Sequence, residues 1–396
     1  MKNAPFRLFL LGRMFSGIAY QMTSVAVGWQ IYAITGQVFY LGLVGLAQFL
    51  PMFLLTLVVG HTADRYNRRL IICASQTLQA CGALFLAVGS FHGWLTKEAL
   101  LLTVMAMGAA RSFETPTMNA LFPGLVTEEE FPRAAAIAAS SMQTAFIIGP
   151  ALGGLLYAFG AGIVYALVCL LVFAAAAMVF FISHPHATPR REPITLQSVF
   201  AGIFFIRHKP EVLGAISLDL FAVLLGGATA LLPAYAKDIL HTGPWGLGLL
   251  RSSPAAGALL TSLYLSFHPL KRDVGRTMFK GVAVFGFVTM VFAVSRNFFL
   301  SMAALTVLGA ADVISVVVRS SLVQLKTPDN MRGRVSAVNS LFIGTSNQLG
   351  EFESGTTAAL FGLVPAALIG GAGTVVVVLL WMKFFPELLN ADRIEK

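Results

Sequence analysis

Residues 40–70 read YLGLVGLAQFLPMFLLTLVVGHTADRYNRRL. The first twenty carry no ionisable side chain, and Asp64, Arg65, Arg68 and Arg69 then crowd into six positions. A bilayer core about 30 Å thick is crossed by roughly 20 apolar residues in a helix. Residues 40–59 meet that length, and stretches of the same kind recur along the whole chain.

The composition agrees with this reading. Of 396 residues, 57% are hydrophobic and 11% charged, where a water-soluble domain carries about 25% charged residues. Lipid therefore replaces water as the solvent for most of the surface, and the chain is a polytopic membrane protein. No removable signal peptide is expected, because the apolar N-terminal stretch lacks a small-residue cleavage site and runs on into a full span. Cys73, Cys81 and Cys169 fall inside apolar segments and read as small core residues.

The segment 14–63 has no Asp, Glu, Lys or Arg and holds two crossings, with a turn at Thr35-Gly36-Gln37. Segments 70–91 and 99–122 are the third and fourth. Segment 134–183 holds two more around Gly160-Ala161-Gly162. A polar stretch, HPHATPRREP (184–193), and an amphipathic segment to Lys209 follow. Six further spans fit at 211–236, 244–267, 278–295, 298–325, 334–361 and 364–385, giving twelve. The expected organisation is an N-terminal six-helix bundle (1–183), a cytoplasmic linker with an amphipathic segment (184–209) and a C-terminal six-helix bundle (210–396).

Lys and Arg concentrate in cytoplasmic loops. With the N-terminus inside, twenty of them fall in inner segments and four (Lys97, Lys237, Arg251, Arg296) in outer loops. Both termini are thus expected in the cytoplasm. The net charge of +9 is a topology signal, and no nucleic-acid partner is expected. The two halves also match each other: MGAAR (107–111) aligns with LGAAD (308–312), Gly149 with Gly350 and Gly154 with Gly355, all at one offset. Six spans return the chain to its starting side, so the repeat is parallel, a plan used by secondary transporters.

On these residues the chain resembles the major facilitator superfamily over essentially its full length. Gly60, Asp64, Arg65, Arg68 and Arg69 fit the signature G-x-x-x-D-R-x-G-R-R between spans two and three, a cytoplasmic gating motif. Asn67 replaces its glycine and is expected to supply the same left-handed turn. IGPALGGLL (148–156), with Gly149, Pro150, Gly153 and Gly154, is similar to the exporter-associated Gly-Pro motif. SNQLGEFESG (346–355), RGRVSA (332–337) and LDLFAVLLGG (218–227) look like the bacterial branch that contains the enterobactin exporter. The resemblance implies an all-α membrane fold of two parallel six-helix bundles in a bacterial inner membrane. It also implies a substrate site between the halves, and alternating access.

Ionisable residues at membrane depth are costly and point to function. Arg111 and Glu114 lie three apart on one helical face and are expected to pair. Asp219, Asp312, Glu351 and Glu353 are the remaining substrate or proton-coupling candidates. Glu351 and Glu353 point about 200° apart in a regular helix, so both reach one cavity only if Gly350 and Gly355 break it. Glu351 or Asp219 is the first choice of proton carrier. There is no G-x-x-x-x-G-K-S/T phosphate loop, no regular histidine ligand spacing and no cluster of catalytic groups. Neither cofactor, metal nor enzymatic activity is expected.

The leading reading is a monomeric, proton-coupled exporter of a small organic compound. An importer or facilitator of the same fold is the alternative within transport. A membrane enzyme or non-transporting sensor is the alternative from another class.

Overall fold

The computed structural model describes residues 4–183, 196–270 and 272–391. In a bilayer no water satisfies a backbone amide, so a spanning segment must bond its own. The chain complies with long helices placed where the sequence puts its twelve spans. The first six are α1 (Ala4–Thr35), α2 (Phe39–Arg65), α3 (Arg68–His92), α4 (Lys97–Leu121), α5 (Phe131–Tyr157) and α6 (Ala161–Phe180). A twelve-residue helix, α7 (Leu196–Arg207), precedes α8 (Pro210–Leu225). After the single turn α9 (Leu232–Ala234) come α10 (Pro244–Phe267), α11 (Val274–Val294), α12 (Phe298–Leu325), α13 (Asp329–Phe361), α14 (Leu363–Phe384) and the short α15 (Pro386–Leu389). Seven helical stretches among the described residues are long and apolar enough to cross a membrane on length and composition alone. The basic linker residues at 184–195 lie outside the described residues.

Chain reversals use the expected chemistry at two glycines. Gly36 (φ 62°) closes α1 by donating to Tyr32 O at 2.9 Å, and Gly160 (φ 116°) turns the chain into α6. These are backbone angles that only glycine adopts at little cost. Asn67 behaves otherwise than the motif suggests. Its backbone is extended (φ −63°, ψ 113°) and its side chain accepts from the Arg69 amide at 3.0 Å. It is a helix cap, which asparagine performs better than glycine, and no left-handed turn is present there.

The seventh span is broken where the sequence suggests one continuous helix. α8 stops at Leu225, before Gly226-Gly227. The chain then runs through a 3-10 turn (Ala228–Leu231), α9 and a π turn (Tyr235–Ile239). Gly227 faces the backbone of α13, where an added Cβ would stand 2.7 Å from Gly350 O.

Two compact units result. The first comprises Met1–Gly36, Ala47–Pro193 and Thr242–Ser252; the second comprises Gln37–Leu46, Ile194–His241 and Ser253–Lys396. Within the first, α1 packs on α5 and α6, and α3 on α4 and α6. Within the second, α8 packs on α13 and α14, and α11 on α12 and α14. The second pattern is the first repeated six spans later, as a parallel duplication requires. Each unit also takes up the start of a helix from the opposite half of the sequence, that of α2 or α10. In the first unit Gly154 of α5 meets Gly248 of α10, and in the second Gly355 of α13 meets Gly42 of α2.

Glycine also lets helices touch backbone to backbone where lipid supplies no hydrophobic drive. Gly257 of α10 and Gly309 of α12 do this in the second unit, and a Cβ on either would run into the Thr306 or Pro254 carbonyl. Gly309→Ala should therefore cost about 1–3 kcal/mol through overpacking. The readout is a lower unfolding temperature of purified protein, against no loss for Gly333→Ala, where nothing lies within 4 Å and alanine is the better helix former.

Candidate functional site

In the first unit the buried charge is Glu114, 3% exposed on α4. Three neutral donors hold it. Ser16 Oγ and Gln76 Nε2 donate to Oε1 at 2.6 and 2.9 Å, and Gln79 Nε2 donates to Oε2 at 2.7 Å. Ser16 comes from α1, and Gln76 and Gln79 lie three apart on α3, so both amides share a face. The expected Arg111–Glu114 pair does not form among the described residues. Arg111 instead lays its guanidinium 3.7 Å over the centroid of the Tyr20 ring, and the Tyr20 hydroxyl donates to Gln48 Oε1 at 3.1 Å. The i, i+3 spacing puts both side chains on one face, yet the denser donor set on α1 and α3 claims the carboxylate.

Arg111 and Tyr20 line a pocket together with Thr23, Ser24, Gln48 and Gln79, over a wall of valines and Met107. Arg251 of α10 bonds through Nη1 to Ser24 Oγ. The sequence count places Arg251 in an outer loop, whereas it sits half-buried in the second turn of α10. Arg13 donates to Asn119 Oδ1 at 3.1 Å.

The second unit is organised by an ion pair. Asp219 of α8 and Arg319 of α12 are joined directly, with side chains 7% and 4% exposed. Asp219 is therefore not the lone acid that the sequence suggests. Asp312 and Ser315 lie on the same face of α12 as Arg319, at spacings of seven and four. They line a second cavity with Asp219, against Val282 and Phe285 of α11. Asp312 forms no hydrogen bond or ion pair among the described residues, and the buried Ser315 hydroxyl has no partner. The two other carboxylates lie on α13, which is unbroken from Asp329 to Phe361. Glu351 packs on Gly45 of α2. Glu353 accepts from Thr357 Oγ1 at 2.7 Å and from Ser354 Oγ at 3.4 Å. Gly350 and Gly355 do not break the helix, and their absent side chains let α8 and α2 approach it.

A family model described as transmembrane secretion effector matches residues 1–395. The chain belongs to this family of the major facilitator superfamily. It is 28% identical over 405 residues to the enterobactin exporter EntS of Citrobacter koseri, covering 98% of this chain and 94% of that one. To the protein of the same name from Salmonella choleraesuis it is 27% identical over 400 residues, with the same coverage. Among solved structures, a point mutant of the nucleoside transporter NupG superposes with a TM-score of 0.75 at 14% identity, covering 96% of this chain and all of that one. That likeness concerns the fold. The chain is a secondary transporter of the superfamily and not an enzyme.

The superfamily signature occupies the end of α2 and the start of α3. Gly60 and Asp64 lie in α2; the surroundings of their side chains fall outside the described residues. Arg65 is exposed. Arg68 Nη1 donates to Ala120 O at 2.9 Å and Arg69 Nη1 to Ile182 O at 3.0 Å, with Arg69 also 5.5 Å above the Phe180 ring. The two arginines thus tie α3 to the ends of α4 and α6. In the Gly-Pro motif, a Cβ at Gly149 would stand 2.7 Å from Gln21 Cβ, and one at Gly153 2.9 Å from Met22 Cα. These glycines press α5 onto α1, while Gly154 and the Pro150 carbonyl meet Gly248. Sequence reasoning does not single out Ser16, Tyr20, Gln48, Gln76 or Gln79. Their signal is there, as polar side chains inside otherwise apolar spans.

Breaking a buried pair strands a charge, which costs about 3–5 kcal/mol. Arg319→Ala should destabilise the protein by that amount, and the double change Asp219→Leu with Arg319→Met should restore most of it. Thermal unfolding in detergent checks this. Wild-type stability for Arg319→Ala would contradict a structural role for the pair.

Proposed function

We propose that the chain exports a small siderophore-like organic compound across the bacterial inner membrane and is driven by protons. The similarity to enterobactin exporters along 98% of the chain carries the cargo and direction of this reading. On it the protein acts as a monomer with both termini in the cytoplasm, as the loop charges indicate. The signature residues Gly60, Asp64, Arg65, Arg68 and Arg69 then form the cytoplasmic gate. Gly149, Pro150, Gly153 and Gly154 give the close helix approach that shapes the export path.

Asp312 is the residue we assign to proton carriage. A carrier acid must gain and lose its proton without dismantling the fold. Asp219 is committed to Arg319, Glu114 to three donors and Glu353 to two hydroxyls. Glu351 packs against Gly45 of α2 and has an interaction partner of its own. Among these five acids, Asp312 alone lines a cavity and forms no hydrogen bond or ion pair among the described residues. Arg111 is the sixth candidate, and its charge faces the larger pocket.

A strain deleted for this chain should retain its siderophore inside the cell, and the wild-type chain should restore secretion. In proteoliposomes, Asp312→Asn should abolish acceleration by a pH gradient, a loss of roughly tenfold or more, while substrate exchange at equal pH continues. Gradient-driven transport at the wild-type rate in Asp312→Asn would remove it as the carrier.

A further inference from the structure

We propose that the pocket of the first unit is a binding site for an organic anion with a flat apolar body, held by Arg111 and Arg251. The inference rests on the transporter reading and adds the charge and shape of the ligand. Neither Asp nor Glu lines the pocket. Arg111, in its wall, has no ion pair among the described residues, because Glu114 one turn away has both oxygens occupied by Ser16, Gln76 and Gln79. Arg251 reaches the wall at Ser24 and likewise has no carboxylate partner among the described residues. Arg111 therefore lines the pocket and Arg251 bonds a residue of its wall, and the hydrogen-bond and ring partners of both among the described residues are neutral side chains.

A cation at that depth is costly, and proteins keep one there when it is paired or serves transport. The Tyr20 ring face offsets part of the cost to Arg111. A bound anion supplies the rest, and a guanidinium fork is well matched to a carboxylate or a similar planar anion. The remaining wall selects the body of the ligand. Val104, Met107, Val168 and Val172 are apolar, and methionine adapts to irregular apolar shapes. The Tyr20 ring beneath the Arg111 guanidinium presents a flat surface, and Gln48 and Gln79 offer directional hydrogen bonds.

The test uses the purified full-length chain in lipid nanodiscs, with radiolabelled salicylate as the anionic probe and salicylamide as its neutral isostere. Saturable salicylate binding is expected, with salicylamide roughly tenfold weaker or more. Arg111→Gln should weaken salicylate by about tenfold or more and salicylamide by much less, while thermal unfolding in detergent close to wild type shows that the variant is folded. Arg251→Gln should act in the same direction, and Arg111→Lys should fall between wild type and Arg111→Gln. No saturable salicylate binding to the wild-type chain, equal affinity for the two probes, or undiminished salicylate binding to Arg111→Gln would each overturn the proposal. No gradient or vectorial step enters the assay, so a failure of the export reading leaves this result standing, and the converse.

Discussion

Inside a bilayer there is no water to complete a hydrogen bond or solvate a charge, and the rest of this structure follows from that constraint. It forces the chain into helices that bond their own backbone. It also removes the hydrophobic drive for helices to associate, so close backbone approach does that work. Gly257 and Gly309 in one unit, and Gly149 and Gly153 in the other, are where the approach is made. The same constraint sorts the buried charges into those the protein satisfies itself and those it leaves open.

Glu114 and the Asp219–Arg319 pair are of the first kind. Each draws its partners from other helices, and each lies deep in its own unit. Such groups contribute to a unique packing more than to stability, since an apolar replacement of equal volume is often as stable. Arg111, Arg251 and Asp312 are of the second kind. On the proposals made above, their charges or protons serve a ligand or a proton that enters from outside; the guanidinium groups lie in the first unit and the carboxyl in the second.

The spans were legible because their signals are local. Gly36 and Gly160 mark reversals, and long apolar runs mark helices, so observed helix ends mostly fall within a few residues of expectation. The positions of the buried charges along the chain were equally plain. Their partners were not, since pairing is a tertiary property. Spacing joined Arg111 to Glu114, but spacing cannot reveal that Gln76, Gln79 and Ser16 arrive from other helices with better geometry. Asp219 and Arg319 stand far apart in the chain, and nothing local connects them. Asn67 shows the same limit in the backbone: a residue able to replace glycine in a left-handed turn was used for its side-chain oxygen. Arg251 read as a loop residue because a single charge near a span end gives no sign of which way it faces.

The central claim is that satisfied charges hold the fold while unsatisfied ones exchange with ligand and proton. An infrared difference spectrum of the protein in lipid, taken between alkaline and acidic buffer, tests it most directly, because a protonating carboxyl gains a carbonyl band. The account predicts that a band from a lipid-buried carboxyl appears on acidification, disappears in Asp312→Asn and persists in Glu114→Gln. A band that survives Asp312→Asn and vanishes in Glu114→Gln would contradict it.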